Sequence, residues 1–461
     1  MTAMPKLGRY ALIIAAALML CSFLVTGARA APGSAQSRQS AAERGALSRS
    51  PHSNVAWRPG DRALLPLAGS ASSRATGFSF LYSVYCTDAS KCWAVGEQSA
   101  GLGTGNLVMR WNGTVWRKFS APNPGGTGQD SLTTLFAVRC LTSRDCWAVG
   151  EYGKQPGAVF SLALHWNGTK WSRVATPSPA GRKSGDISEL YDVTCASSAS
   201  CWAVGDFGFE PGSQPERFNN LAMRWNGTRW SQVRTPNPGG VGSTHVNSIF
   251  SVRCASATRC DAVGDFGRMT SSTTSLRNQA LHWNGTKWTL RRTPNPAGTA
   301  ATRINELDML GCTSASNCWG AGFYGTQTVD NQSTKDEAFH WNGRRWSRAI
   351  APHPGGTVNE LFGVMCRVRS DCWAVGEYAK LDGGAQNQAA HWNGSKWSLV
   401  PTPNPASTMA GAMNELFSVR CTSHRNCWAV GFVKFPTTST ITFEILHWNG
   451  TNWSIRLPKV S

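Results

Sequence analysis

Apolar and polar residues alternate along this chain in short runs, and none of the runs has helical spacing. One set reads "LFAVRC" (135–140), "CWAVG" (146–150), "LALHW" (162–166) and "KWSRV" (170–174). Alternation over four to six residues, rich in β-branched and aromatic side chains, predicts four β-strands, A to D, with strand B ending at the glycine of "WAVG". The same set returns seven times between residues 79 and 461, and no amphipathic helical window falls between the copies. The first cysteines of successive copies lie 54, 55, 59, 58, 54 and 55 residues apart, a period that marks a repeat architecture.

The strand edges carry the next signals. In "WNGT" the Asn-Gly dipeptide predicts a two-residue type I′ hairpin between C and D, because that turn needs positive φ at both central positions. Such a turn places Trp116 opposite Met109 and on the same face as Trp111. Six copies read Asn-Gly-Thr or Asn-Gly-Ser, which also spells a glycosylation acceptor. The copy Asn342-Gly343-Arg344 keeps the dipeptide without the acceptor, which favours the turn reading. Fourteen of the 21 tryptophans lie in these hairpins and six follow the second cysteine of a repeat. Recurrence at fixed places points to packing between repeats rather than to sugar platforms.

Fourteen of the fifteen cysteines form pairs six apart, 86/92, 140/146, 195/201, 254/260, 312/318, 366/372 and 421/427; the fifteenth is Cys21. The chain opens with Lys6 and Arg9, an apolar run to about Val25 and the small-residue signature Ala28-Arg29-Ala30, which reads as a secretory signal peptide cleaved after Ala30. An even cysteine count in an exported chain predicts disulfides. Zinc knuckles would need a second pair close by, and each pair belongs to its own repeat. Cys86–Cys92, Cys140–Cys146, Cys195–Cys201, Cys254–Cys260, Cys312–Cys318, Cys366–Cys372 and Cys421–Cys427 are thus expected to staple the A–B hairpins. That register sets Arg139 opposite Trp147 and Arg420 opposite Trp428, suggesting cation–π pairs, and in the fourth copy it sets Arg253 opposite Asp261 as a charge pair. His165, His282, His340, His391 and His447 precede the first hairpin tryptophan. Arg110 and Arg224 take that place in two copies, and equivalent strand-C positions lie too far apart to share a metal, so a structural role is expected.

Four strands repeated seven times, with no helix to cover a sheet, predict an all-β seven-bladed β-propeller with one disulfide per blade. The chain resembles secreted bacterial propellers carrying "CWAVG" and "HWNGTxW" repeats, related in general plan to kelch-like and BNR-like propellers. It lacks the Gly-Gly pair of kelch repeats and the Ser-x-Asp-x-Gly-x-x-Trp boxes of sialidase-type repeats, so neither family's ligand residues carry over. Residues 1–30 are assigned to the leader, 31–78 to a disordered Ala/Ser/Gly/Arg-rich tether, and 79–461 to the propeller. Formal charge is +19, of which +12 falls on the propeller, and this suits adhesion to anionic wall polymers. The basic residues are spread over all repeats without a nucleic-acid motif, so nucleic acid is not an expected partner. No membrane span follows the leader, and a secreted or surface-associated monomer is expected.

Loop lengths locate the candidate site. The A–B turns and C–D hairpins are uniform and share one rim, whereas the B–C stretch on the other rim varies from 14 residues in the first copy to 19 in the third. Variable loops on a rigid scaffold are where recognition concentrates. Carboxylates gather there too. Glu189, Glu306, Glu360 and Glu415 begin strand A, and Glu97, Glu151, Asp206, Asp265 and Glu377 follow "WAVG". These nine are the candidate ligand-binding residues, suited to a hydroxyl-rich or cationic ligand or a channel cation, with pairing to arginines and satisfaction of loop amides as the structural alternative. No lone Ser-His-Asp set, Cys-His set or nucleotide loop occurs, so no catalytic residue or cofactor is assigned. The expected function is non-enzymatic binding of a carbohydrate, cell-wall polymer or extracellular protein through the B–C and D–A loops. The alternative is a carboxylate-based secreted glycosidase or lyase.

Overall fold

The computed structural model describes residues 77–456 apart from 155–156, 211–215, 271–272, 328–331, 380–382 and 438–439. The assigned leader and all but the last two residues of the assigned tether lie outside the described residues. The described residues form 28 strands and no helix. In the first blade these are β1 (Ser79–Asp88), β2 (Lys91–Ala100), β3 (Gly103–Trp111) and β4 (Trp116–Lys118), an antiparallel sheet in sequence order. Six more blades follow over residues 131–174, 186–232, 245–291, 303–349, 358–399 and 413–455. The protein is a seven-bladed β-propeller. One parallel bridge, Val159 to Ile187, joins the second and third sheets.

All seven cysteine pairs are disulfide-bonded, and each bridges facing residues of strands A and B with Cα atoms 3.9–4.0 Å apart. Further along the same two strands, one residue of strand A bulges out of register, as between Leu81 and Ser83 or between Leu361 and Gly363. The bulge explains the glycine of "WAVG". A Cβ on Gly205 would stand 2.0 Å from the carbonyl oxygen of Glu189, and one on Gly376 would stand 1.9 Å from that of Glu360. Backbone approaches so closely there that no side chain fits.

Blades pack face to face through tryptophan. Trp93 of strand B in the first blade lies 4.9 Å from Trp166 and 5.3 Å from Trp171, the hairpin pair of the second blade. Trp147, Trp202, Trp319 and Trp373 insert between the hairpin pairs of their own next blades in the same way. The last blade closes on the first through Trp428, 4.8 Å from Trp111 and 5.3 Å from Trp116. The fourth blade has Asp261 at this position. There Arg291 lies 4.1 Å over Trp341 of the fifth blade, and Asp261 pairs with Arg291 and His282.

Three expectations of local geometry are corrected. The hairpin is a four-residue turn: the Asn112 side-chain oxygen accepts from the Thr114 and Val115 amides at 3.0 Å each and from the Thr114 hydroxyl at 2.9 Å. Only Gly113 takes positive φ, at 98°, so the turn is an Asx type and not type I′. Trp116 therefore faces Trp111, and Met109 faces Lys118. Arg139 does face Trp147 in register, yet its guanidinium lies 5.2 Å over Tyr85, and Arg420 lies 4.2 Å over the same ring. Arg253 pairs with Asp192 of the preceding blade, not with Asp261. Trp147 and Trp428 instead stack on His165 and His447, and Arg110 replaces the histidine over Trp93 at 5.3 Å.

Two outcomes follow. Gly205→Ala is expected to lower unfolding stability by about 1–3 kcal/mol or to prevent secretion, read by urea titration of the purified protein; wild-type stability contradicts the bulge contact. Alkylation of the exported protein without reduction should label none of the fourteen paired cysteines, and mass spectrometry reads the result.

Candidate functional site

The nine predicted acids fall into one layer of the propeller. Strand B continues past its glycine in every blade, so residues expected in a loop instead sit in mid-strand, facing strand A. The layer has seven rungs: Phe80–Glu97, Thr134–Glu151, Glu189–Asp206, Ser248–Asp265, Glu306–Phe323, Glu360–Glu377 and Glu415–Phe432. Glu97 and Glu306 are partly exposed and the other seven are buried. Where a rung carries a single acid, an aromatic or a hydroxyl residue faces it. Hydroxyl and amide side chains donate to several of these carboxylates. Thr134 of the second blade donates to Glu97 of the first at 2.7 Å, and Ser248 of the fourth donates to Asp206 of the third at 2.6 Å. Thr334 and Gln332 donate to Glu360 at 2.8 Å each.

Beneath this layer the bulged residues of strand A fill the axis. Tyr82, Phe136, Tyr191, Phe250, Phe362 and Phe417 occupy equivalent places, with successive ring centroids 5.6–5.8 Å apart from Phe250 round to Phe362. Two of them reach the acids: Tyr82 donates to Glu97 at 2.6 Å, and Tyr191 donates to Glu189 and, at 3.3 Å, to Asp206. In the fifth blade the ring is interrupted by Asp308, which is buried with neither carboxyl oxygen hydrogen-bonded among the described residues. Repeat alignment exposes this residue, because Asp308 alone breaks the Phe/Tyr series four positions before the cysteine. The alternation that predicts strand A does not by itself single it out.

Electrostatics follow from burial. Removal from water pushes Glu360 up to about 8, with the Glu377 carboxylate adding to the effect, and pushes Glu377 up to about 7. Glu415 is raised well above the usual range by burial and by the neighbouring Glu377 carboxylate. Asp308 is raised by burial and then by Glu306, Glu360, Asp265 and Glu337. Near neutral pH burial therefore favours the protonated form of Glu360 and Glu415 and leaves Glu377 close to its midpoint, so carboxyls on this side can donate as well as accept. The strand-C histidines stand apart from this layer: four bond the residue before the second cysteine, as in His165–Asp145 and His391–Asp371, both 2.9 Å, and His282 bonds Asp261, the residue after it. Among the described residues no three acid, histidine or cysteine side chains come together to hold a metal ion.

A concavity opens on the stapled rim, between the A–B turns of the first, sixth and seventh blades. Its volume is about 540 Å³, and its walls include Asp88, Arg367, Arg420 and Asn426.

No family model and no curated protein matches the chain. Among solved structures it is similar to a polysaccharide lyase of family PL25, an ulvan lyase, with a TM-score of 0.50 and 11% identity over 83% of this chain and 93% of that one. It is also similar to the β-propeller domain of the Trilobed protease from Pyrococcus furiosus, described as having an open velcro topology, with a TM-score of 0.45 and 8% identity over 82% of this chain and 96% of that one. At such identities the first likeness shows the propeller fold and nothing about chemistry.

The raised carboxyls set a pH dependence. A group whose folded pKa exceeds its unfolded value contributes most below the unfolded value, about 4.3 for Glu, and the contribution is lost as pH rises through the folded value. His340 and His447, lowered by burial, oppose this trend only below about pH 6.5. Unfolding stability should therefore fall between pH 6.5 and 8.5 by roughly 2–3 kcal/mol from Glu360 and Glu377 together. Glu360→Gln should flatten that slope, as read by denaturant midpoints across the range. Stability that rises over this interval contradicts the assignment.

Proposed function

We propose that this is an exported, non-enzymatic binding propeller that recognises a carbohydrate, a cell-wall polymer or an extracellular protein through its B–C and D–A loops. One observation carries the reading. The carboxylates are distributed over equivalent rungs of all seven blades, mostly buried, above an axis filled by aromatic rings. A hydrolase or lyase needs an acid pair set apart from the repeat and open to a polymer chain. A repeated, mostly buried layer is instead what a rigid scaffold uses to hold its loops. The disulfides suit an extracellular setting. The nine acids then act by fixing the loop bases, with partly exposed Glu97 and Glu306 nearest to a ligand.

The alternative, a carboxylate-based glycosidase or lyase, is favoured by one feature: Glu360, Glu377 and Glu415 share raised proton affinity, as a general acid requires. Glycan-array and cell-wall pull-down experiments with the exported protein separate the two. Retention of a polymer without shortening it is the expected result. Turnover that disappears in Glu360→Gln and Glu377→Gln would establish the enzyme instead.

A further inference from the structure

The concavity on the stapled rim is lined by Arg420, a cation with no ion pair among the described residues. Position −1 before the first cysteine holds arginine in three blades, Arg139, Arg253 and Arg420. Each can be met by position −3 of the preceding blade. Arg253 meets Asp192 there, in a buried ion pair that also takes the Ser251 hydroxyl at 2.8 Å. Arg420 meets the sixth blade, where the residue is Gly363. No carboxylate can be supplied from that position, because a Cβ on Gly363 would lie 2.7 Å from the Phe417 carbonyl oxygen.

Arg420 is nonetheless held firmly. Its guanidinium lies 4.2 Å over the Tyr85 ring of the first blade, and one terminal nitrogen donates to the Tyr85 hydroxyl at 3.1 Å. Its Nε is buried without a hydrogen-bond partner, and no ion pair to it exists among the described residues. Arg139 shares the same ring at 5.2 Å, so two guanidinium groups converge on one tyrosine. Burial and Arg139 both depress the pKa of Arg420. A fixed, planar, half-dehydrated guanidinium facing a cavity of about 540 Å³ is suited to two-point binding of an oxyanion. Arg367 adds a second cation to the wall, its Nε held by Asp371 at 2.8 Å. Asp88 is the one acid in the wall; Ser90 and Lys91 occupy its oxygens. Asn426, Thr422 and Ser423 complete a polar wall.

We propose that the stapled mouth of the propeller is an anion site, in which Arg420, oriented by Tyr85 and assisted by Arg367, binds a carboxylate, sulfate or phosphate group such as those carried by acidic extracellular polymers. The site lies on the rim opposite the variable loops and does not depend on the binding role assigned to them.

Calorimetric titration of the exported full chain with inorganic sulfate, inorganic phosphate and a short oligouronate tests it, since these three distinguish free tetrahedral anions from a polymer carboxylate. Saturable one-to-one binding of at least one of them is expected, weakened about tenfold or more in Arg420→Gln and partly in Arg367→Gln. Absence of saturable binding for all three overturns the proposal, and so does binding that Arg420→Gln leaves unchanged. If that variant does not fold, phenylglyoxal modification of the unaltered protein decides: the bound anion should slow labelling of the Arg420 peptide, and equal labelling with and without anion counts against the site.

Discussion

Everything in this molecule hangs on one repeated contact, the insertion of a strand-B tryptophan between the two hairpin tryptophans of the next blade. A propeller's sheets are radial, so their faces must be covered by neighbours, and a large flat ring covers the most apolar area for the fewest torsions. The first hairpin tryptophan does a second job. The Nε1 of Trp111 donates to Ala89 and that of Trp448 to His424, each at the A–B turn of its own blade, at 3.1 and 3.0 Å. The stapled turn, the hairpin and the next blade thus form one connected rim. The fourth blade shows what the contact requires: with the indole gone, Arg291 provides another flat surface over Trp341 and Asp261 anchors it.

This arrangement also closes the ring. All four strands of the first blade and all four of the last are consecutive in the chain, so among the described residues no strand is exchanged between the first and last blades. Closure rests on Trp428 against Trp111 and Trp116, on the Val84 amide donating to the Ser418 hydroxyl at 3.3 Å, and on the Phe443 amide donating to the Ser79 hydroxyl at 3.2 Å. The bulge in strand A makes the hydroxyl contact available. By interrupting the ladder it lets position −3 of one blade accept from position −2 of the next, as Ser83 does from Val138 and Ser251 from Leu310. The same bulge turns the axial aromatics inward and leaves the acid layer between them and the loops.

Much of the architecture was legible in the chain. The period, the alternation and the paired cysteines each follow from local physics that repeats seven times, so small local errors average out. The site was less legible, for a specific reason. An acid after "WAVG" looks like the first residue of a loop, because glycine followed by a charge usually ends a strand. Here the glycine serves a close backbone approach, and strand B runs on through Glu97 to Ala100, which carries the acids indoors. Asn112 misled in a similar way: Asn-Gly suggests a two-residue turn, while the side chain caps a four-residue one and thereby moves Trp116 by two places. The Arg420 concavity left no local trace at all. Its walls come from residues far apart in the chain, Asp88 of the first blade, Arg367 of the sixth and Arg420 of the seventh.

The most direct test of the tryptophan account is removal of the closing wedge. In Trp428→Ala, hydrogen exchange of the purified protein should show lost protection in both the last blade and the first, with a stability loss of about 3–5 kcal/mol in denaturant. Loss confined to residues 413–455, with the first blade protected as in the unaltered protein, would contradict it.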